Sequence, residues 1–358
     1  MRIAYVCYWF LLERDGVVAK IEGQVGAWRR AGHEVEVFCL ARLMPERQTT
    51  QPPWRTFFFD STPGRFRGTR ALVAAVDEWR PDVVYLRYDL FLPPVPRLVR
   101  DRTTAVEINA NDRDEAHLRV ERPRAAAAFN ELNRRTLLSR VDGLVCVTEE
   151  LARSPDFTTF GKPTVTIGNG VDLERMRELP PAHNERARVV FLGSARQQWH
   201  GVDKISLLAE RMPEADFDVV GYPAALVDFP VPSNMRVHPP LTQEDYEPLL
   251  ARADLAIGTL ALHRKNMREA CPLKVREYLG HGLPVVIAYE DTDFAGEDPW
   301  FLLRLPNEES NVRENVDAVR SFLERVRGRR VDRGDVAERI GSQAKERRRL
   351  EFLERLAA

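Results

Sequence analysis

Glu269 and Glu277 have seven residues between them in the segment Glu269-Ala-Cys-Pro-Leu-Lys-Val-Arg-Glu277-Tyr-Leu-Gly-His-Gly282-Leu-Pro284. Pro272 suits the first position of a helix, where its missing N–H costs nothing. Glu269 then belongs to the loop before that helix, and Glu277 lies about one to two turns inside it. A helix start offers unpaired N–H groups and the positive end of a dipole, which together seat a phosphate. Carboxylates beside such a seat accept hydrogen bonds from hydroxyls. Phosphate on one side and hydroxyls on the other describe a nucleotide-sugar. The spacing alone says little, because Glu107 and Glu115, Glu338 and Glu346, and Glu346 and Glu354 repeat it. Context carries the reading: a loop, a Pro-started helix closed by Gly280 and Gly282, and then the apolar strand Val285 to Ala288.

The elements that would position these groups follow one theme, a short apolar strand and then an amphipathic helix. Strands are expected at Arg2–Cys7, Val35–Cys39, Thr56–Phe59, Val83–Leu86, Ala105–Asn109 and Gly143–Thr148, with helices over Gly16–Arg30, Thr69–Trp79 and Arg124–Ser139. This alternation predicts a parallel sheet covered on both faces. A turn at Asn169-Gly170 and a polar stretch from Glu174 to Arg188 interrupt it, and it restarts at Val189–Gly193. The 358 residues therefore divide into two α/β domains, 1–170 and 171–340, with a charged C-terminal helix at 341–358 expected to pack across their junction. Strand C-termini of both domains are expected to face a shared cleft.

Lys and Arg total 53 against 54 Asp and Glu, so no global basic field suggests nucleic acid. An apolar content of 44% suits a soluble globular protein. No apolar run reaches the ~18 residues of a membrane span. The N-terminus reads as a strand rather than a signal peptide, and four scattered cysteines without zinc spacing read as reduced thiols in a cytosolic protein.

With these pieces in order, the chain resembles the GT-B-fold retaining glycosyltransferases of family four, over roughly residues 1–300. Five segments carry the resemblance: Asp15-Gly16-Val17 before the first helix; Arg30-Ala-Gly-His-Glu-Val35; Ile167-Gly-Asn-Gly-Val-Asp172; Phe191-Leu-Gly193; and the Glu269/Glu277 segment. The resemblance implies two Rossmann-like domains, an N-terminal acceptor domain and a C-terminal nucleotide-sugar domain facing a central cleft. It also implies that Glu269 contacts the donor sugar and Glu277 the ribose. Cys271, Pro272, Leu273 and Lys274 would meet the diphosphate, with Leu273 and Lys274 as N–H donors because Pro272 has none. Gly16 would allow close approach to the donor phosphate or acceptor.

The chain departs from the family in its second phosphate clamp. Relatives carry Arg after the first glycine of the second domain and Lys a few residues later; here Ser194 and His200 stand in those places, and Arg196 is the candidate replacement. Fixed cations matter there because the departing diphosphate gathers negative charge. A His that many relatives place after the fifth strand is also absent, leaving Asn109 and Asn111 as cleft candidates, with the next His at His117. Glu107 is either a carboxylate pointing into the cleft or a surface strand residue. His263, in the loop leading to Glu269, borders the donor pocket in this reading, beside Arg264, Lys265 and Arg268.

The apolar run Tyr8-Trp9-Phe10-Leu11-Leu12 suits an apolar acceptor or a membrane surface, or folds onto the core. The expected partners are a nucleotide-diphosphate sugar and a glycan, lipid-linked or small-molecule acceptor, with peripheral membrane contact at the cytoplasmic face and no nucleic acid. No metal and no cofactor are expected. The implied reaction is retaining hexosyl transfer in glycoconjugate or polysaccharide biosynthesis. A nucleotide-sugar epimerase on the same fold and a non-catalytic binding subunit are the rival readings. A dehydrogenase and a P-loop NTPase lack their glycine motifs here.

Overall fold

The computed structural model describes residues 1–9, 16–42, 53–88, 95–113 and 124–358. The chain divides into two units, Met1–Gly168 joined by Ser342–Ala358, and Asn169–Gly341.

The first unit runs β1 (Arg2–Trp9), α1 (Gly16–Arg30), β2 (Glu34–Arg42), β3 (Arg55–Phe59), α2 (Thr62–Trp79), β4 (Val83–Arg87), β5 (Thr103–Ile108), α3 (Arg124–Leu138), β6 (Gly143–Cys146), α4 (Glu149–Arg153), α5 (Pro155–Thr158) and β7 (Thr164–Thr166). Its sheet has the parallel order β3-β2-β1-β4-β5-β6-β7. Side chains alternate along each strand. Ala4, Val6, Phe38 and Leu40 enter one core with α2, while Ile3, Tyr5, Val37 and Cys39 enter the other with Trp28 of α1. With both faces buried, the strands read as nearly continuous apolar runs.

The second unit runs β8 (Ala187–Leu192), α6 (Val202–Arg211), β9 (Ala215–Val220), β10 (Met235–His238), α7 (Gln243–Arg252), β11 (Leu255–Ile257), β12 (Glu269–Ala270), α8 (Leu273–Gly280), β13 (Val285–Ile287), β14 (Glu290–Asp291), β15 (Leu302–Arg304), α9 (Asn311–Val326) and α10 (Arg333–Ile340). Its sheet order, β10-β9-β8-β11-β13-β15, repeats the winding of the first unit, and β12 pairs separately with β14. Strand order reverses at β1/β4 and at β8/β11, the places where open α/β sheets bind ligands.

The last helix, α11 (Ser342–Ala357), returns to the first unit, where Leu350, Phe352 and Leu353 join the core beside Trp28. Trp28 Nε1 donates to Glu346 at 2.8 Å, and Glu346 is ion-paired to the buried Arg349. Among the described residues no helix is long and apolar enough to cross a membrane. Tyr8 and Trp9 close β1 half-buried, Tyr8 stacked on Phe59 at 5.9 Å and Trp9 under the Arg87 guanidinium at 5.3 Å. Phe10 to Leu12, Asp15 and His117 lie outside the described residues.

Candidate functional site

The loops leaving the two switch strands of the second unit are tied together. Leu260 N–H donates to His200 C=O and Ala261 N–H to Trp199 C=O, each at 3.2 Å. On the other flank Gly193 and Gly221 touch through their backbones: Gly221 has φ +103° and a Cβ there would lie 1.9 Å from Gly193 O. The residue after β9 therefore has to be glycine if the loop after β8 is to keep its path.

Helix α8 begins beside this loop. Pro272 is its N-cap, one position earlier than the spacing suggested, with φ −69° and ψ 138°. The first helical bonds come from Val275 and Arg276, both to Pro272 C=O, so the N–H groups of Leu273 and Lys274 precede the ladder. The helix ends in a Schellman turn: Gly282 (φ +85°) donates to Leu279 C=O and Leu283 to Tyr278 C=O, at 3.0 and 2.8 Å. Tyr278 Oη accepts Leu192 N–H at 2.6 Å, which fastens α8 to the end of β8.

Lys274 projects from the first turn of α8. The residue as a whole is half-buried, yet its Nζ is enclosed, 4.2 Å from the Phe191 ring centroid, and among the described residues has no hydrogen-bond acceptor. Burial lowers its pKa to about 7. His200 is buried close by, edge-on to Phe191 at 5.6 Å and 3.5 Å from Tyr222 Oη. Its pKa is held well below the usual histidine range, first by burial and then by Lys274, so the imidazole is neutral. Ser194 is exposed at the start of the same loop.

Glu269 lies in β12, a two-residue strand pairing with Glu290–Asp291, rather than in a free loop, and is buried. Glu277 accepts a 2.6 Å bond from Tyr246 Oη; burial raises its pKa, and that bond opposes the shift. Between the two carboxylates runs a buried network. Arg276 Nη2 reaches both oxygens of Asp291 at 2.5 and 2.6 Å, and Nε reaches Asp293 at 3.1 Å and Cys271 Sγ at 3.2 Å. Asn169 donates its N–H to Cys271 Sγ at 3.0 Å and its Nδ2 to Cys271 C=O at 2.6 Å. Cys271 is therefore a joint holding the loop, while the backbone that follows it forms the helix start. Arg276, Asp291 and Tyr246 were not singled out from the sequence, and Phe191 was quoted there only as part of the opening of the second domain. A signal existed for Arg276: it shares a buried helix face with Leu279, and a buried guanidinium needs carboxylates, which Asp291 and Asp293 supply just beyond the next strand.

The other two candidates of this unit are Arg196 and His263. Arg196 is exposed, with φ +65°, and lines a cavity of about 470 Å³ together with Asp203, Tyr222, Phe229 and Arg264. His263 pairs with Glu309 at 2.7 Å and takes Asn307 Oδ1 on its N–H at 2.8 Å, while Arg264 bridges Asp203 and Glu309. His263 is thus engaged in a surface charge cluster.

In the first unit, Gly16 is the first residue of α1. Glu107 neither faces solvent nor is open to a ligand: it is fully buried on β5, ion-paired to Lys20, with Tyr5 Oη at 3.3 Å and Arg87 at 3.8 Å. Burial would raise its pKa, but Lys20 and Arg87 prevail and hold it at about 2. Asn109 Oδ1 accepts from Arg87 at 2.9 Å and Lys20 at 3.3 Å, leaving Nδ2 enclosed and without an acceptor among the described residues. Asn111 is buried and committed to Asp156 at 2.8 Å and to Arg113 N–H at 3.1 Å.

Residues 15–175 match the family model described as Glycosyltransferase Family 4. No curated protein matches the chain in sequence. Among solved structures, sucrose-phosphate synthase from Thermosynechococcus elongatus shares 12% identity, covering 99% of this chain and 96% of that one, with a TM-score of 0.64. The pneumococcal O-GlcNAc transferase in complex with UDP and GlcNAc shares 11%, covering 99% of both, with a TM-score of 0.65. The UDP-GlcNAc 2-epimerase from Neisseria meningitidis bound to UDP-GlcNAc shares 13%, covering 99% of this chain and 100% of that one, with a TM-score of 0.54. These likenesses show the GT-B fold, in keeping with the two doubly wound sheets.

Proposed function

We propose that the chain, a glycosyltransferase of the GT-B fold and family-four type, moves a sugar from a nucleoside-diphosphate donor to an acceptor hydroxyl with retention. The observation that carries this is the start of α8, where two N–H groups ahead of the helical ladder adjoin an enclosed ammonium that has no acceptor among the described residues. A diphosphate supplies what that corner lacks: negative charge for the dipole and the cation, and oxygens for the donors. Lys274 takes the role of the cations that Ser194 and His200 do not provide. Glu277, held by Tyr246, binds the ribose hydroxyls, and Glu269 the sugar. As the bond from the anomeric carbon to the diphosphate oxygen breaks, charge grows on the phosphates, where Lys274 and the α8 N–H groups stabilise it. The acceptor oxygen attacks from the same face and passes its proton to that phosphate oxygen, so no enzymic base is required.

The test is a thermal-shift screen of UDP-, GDP-, dTDP- and ADP-sugars. A donor at 100 times its Kd should add ~2.7 kcal/mol to stability. The stabilisation should be lost in Glu277→Ala. If no nucleotide-sugar shifts the wild-type melt, the donor site is wrong. Turnover of the donor with no acceptor would instead favour epimerisation.

A further inference from the structure

A second site lies wholly within the first unit, in a groove of about 600 Å³ between α3 and the segment around α5. Four guanidinium groups line it, from Arg113, Arg134, Arg135 and Arg140, together with Thr159 and the ring of Phe160. The volume falls in the range of small-molecule sites. Arg134 is its built component. Only 2% of that side chain is exposed; Nε sits 3.1 Å from both oxygens of Asp112, and Nη2 donates to Asp156 C=O at 2.7 Å. Its guanidinium packs over Phe157 and Phe160 at 5.0 and 5.5 Å. Among the described residues its Nη1 has no acceptor, and the side chain of Arg140 has no partner at all.

The described acids that pair with these arginines are already occupied. Glu131 holds Arg113 and Arg135, Asp156 holds Arg113, and Asp112 holds Arg134. They orient the cations without cancelling them, since among the described residues three carboxylates stand behind four guanidiniums. A neutral sugar would find donors here and hardly any free acceptor. A phosphate accepts from several guanidiniums at once, in the forked geometry that arginine favours.

We propose that this groove binds a phosphate group, presented by a soluble phosphorylated ligand or by a lipid headgroup. Leu132, 65% exposed and one helical turn before the lining residue Thr136, would meet the apolar part of either carrier. The site shares no residue with the α8 phosphate seat, so the two can be separated by mutation.

The experiment uses the full chain carrying Lys274→Met, so that the α8 seat contributes little, and titrates inorganic phosphate by calorimetry at low salt with acetate as control. Phosphate should bind in preference to acetate. Arg140→Glu should weaken it by about tenfold or more, in line with the loss of a charge-assisted contact. Arg140 is exposed and has no partner among the described residues, so this variant should fold, and its unchanged melting temperature would show that it does. Unchanged phosphate affinity in Arg140→Glu, or no phosphate binding in the parent, overturns the site. Co-sedimentation with vesicles of phosphatidylglycerol and phosphatidylcholine, against phosphatidylcholine alone, locates the carrier. Arg140-dependent binding to the anionic vesicles assigns a lipid headgroup. Phosphate binding without vesicle binding assigns a soluble ligand.

Discussion

Lys274 and Glu107 are both enclosed ionisable groups whose folded-state pKa lies below the ordinary value, so the stability contribution of each rises with pH, in separate pH windows. The folded-state pKa of Lys274, about 7, lies below the ordinary 10.5 of lysine. Between those values the unfolded chain binds the extra proton, so stability from this residue rises with pH, and its full penalty is felt below about pH 7. Lys274→Met should therefore stabilise the free protein at about pH 6, with a gain that fades towards pH 10, as urea denaturation across that range would show. The same variant should bind nucleoside diphosphate about tenfold or more weakly. A variant both less stable at about pH 6 and equal in affinity would dismiss this role. Glu107 has a folded-state pKa of about 2, below its ordinary 4.5. Its contribution is complete above about pH 4.5 and is lost as pH falls towards 2. A Glu107→Gln/Lys20→Met double variant should thus show a flatter acid-unfolding curve than wild type. The Glu269/Glu277 pair and the helix start between them could be read from the chain, since they rest on local signals such as Pro272 and Gly282. The Lys20–Glu107 pair could not, because its partners are 87 positions apart and only the fold brings them together.

Elements were legible where the period of apolar residues was unbroken and lost where a short-range cue misled. Helix α1 over Gly16–Arg30 follows from its amphipathic pattern and the Ala31-Gly32 stop. Helix α2 begins at Thr62, well before Thr69, because Pro63-Gly64 resembles a turn yet sits inside a first turn capped by Ser61, whose Oγ accepts Gly64 N–H at 3.3 Å. Strand β10 was missed: four residues between prolines at the sheet edge offer little pattern. At this scale the buried pair gives a clear expectation. Lys20→Met alone strands Glu107 inside the unit and should cost about 3–5 kcal/mol, most of which the Glu107→Gln double variant should restore. Denaturant midpoints of the three proteins measure it, and equal losses in single and double variants would show that the pair is not the cause. Gly221→Ala should be among the most destabilising single-methyl additions, since its Cβ would collide with the Gly193 backbone and force the loop after β8 to move. Its melting temperature should drop, and nucleotide affinity should drop with it.

At the scale of the molecule, the alternating strands and helices announced two α/β units, while the destination of the last helix was hidden. That helix was expected at the junction of the two domains; it belongs to the first unit, where Glu346 and Arg349 are buried and Trp28 donates to Glu346. Removing Ser342–Ala358 should therefore unfold the first unit and spare the second; limited proteolysis should leave a resistant core spanning Asn169–Gly341. Degradation of both units at equal rates would refute this. The second unit is, in covalent terms, an insert: the chain enters it at Asn169 and leaves at Gly341. Entry and exit lie side by side, since Val171 N–H donates to Ile340 C=O at 2.9 Å and Val171 bridges Gly341. The segment carrying Glu269, Lys274 and Glu277 is thus a cassette with adjoining ends. It can be cut out as one continuous gene fragment and exchanged between chains of this build, whereas the first unit can be made alone only by splicing two pieces of the chain.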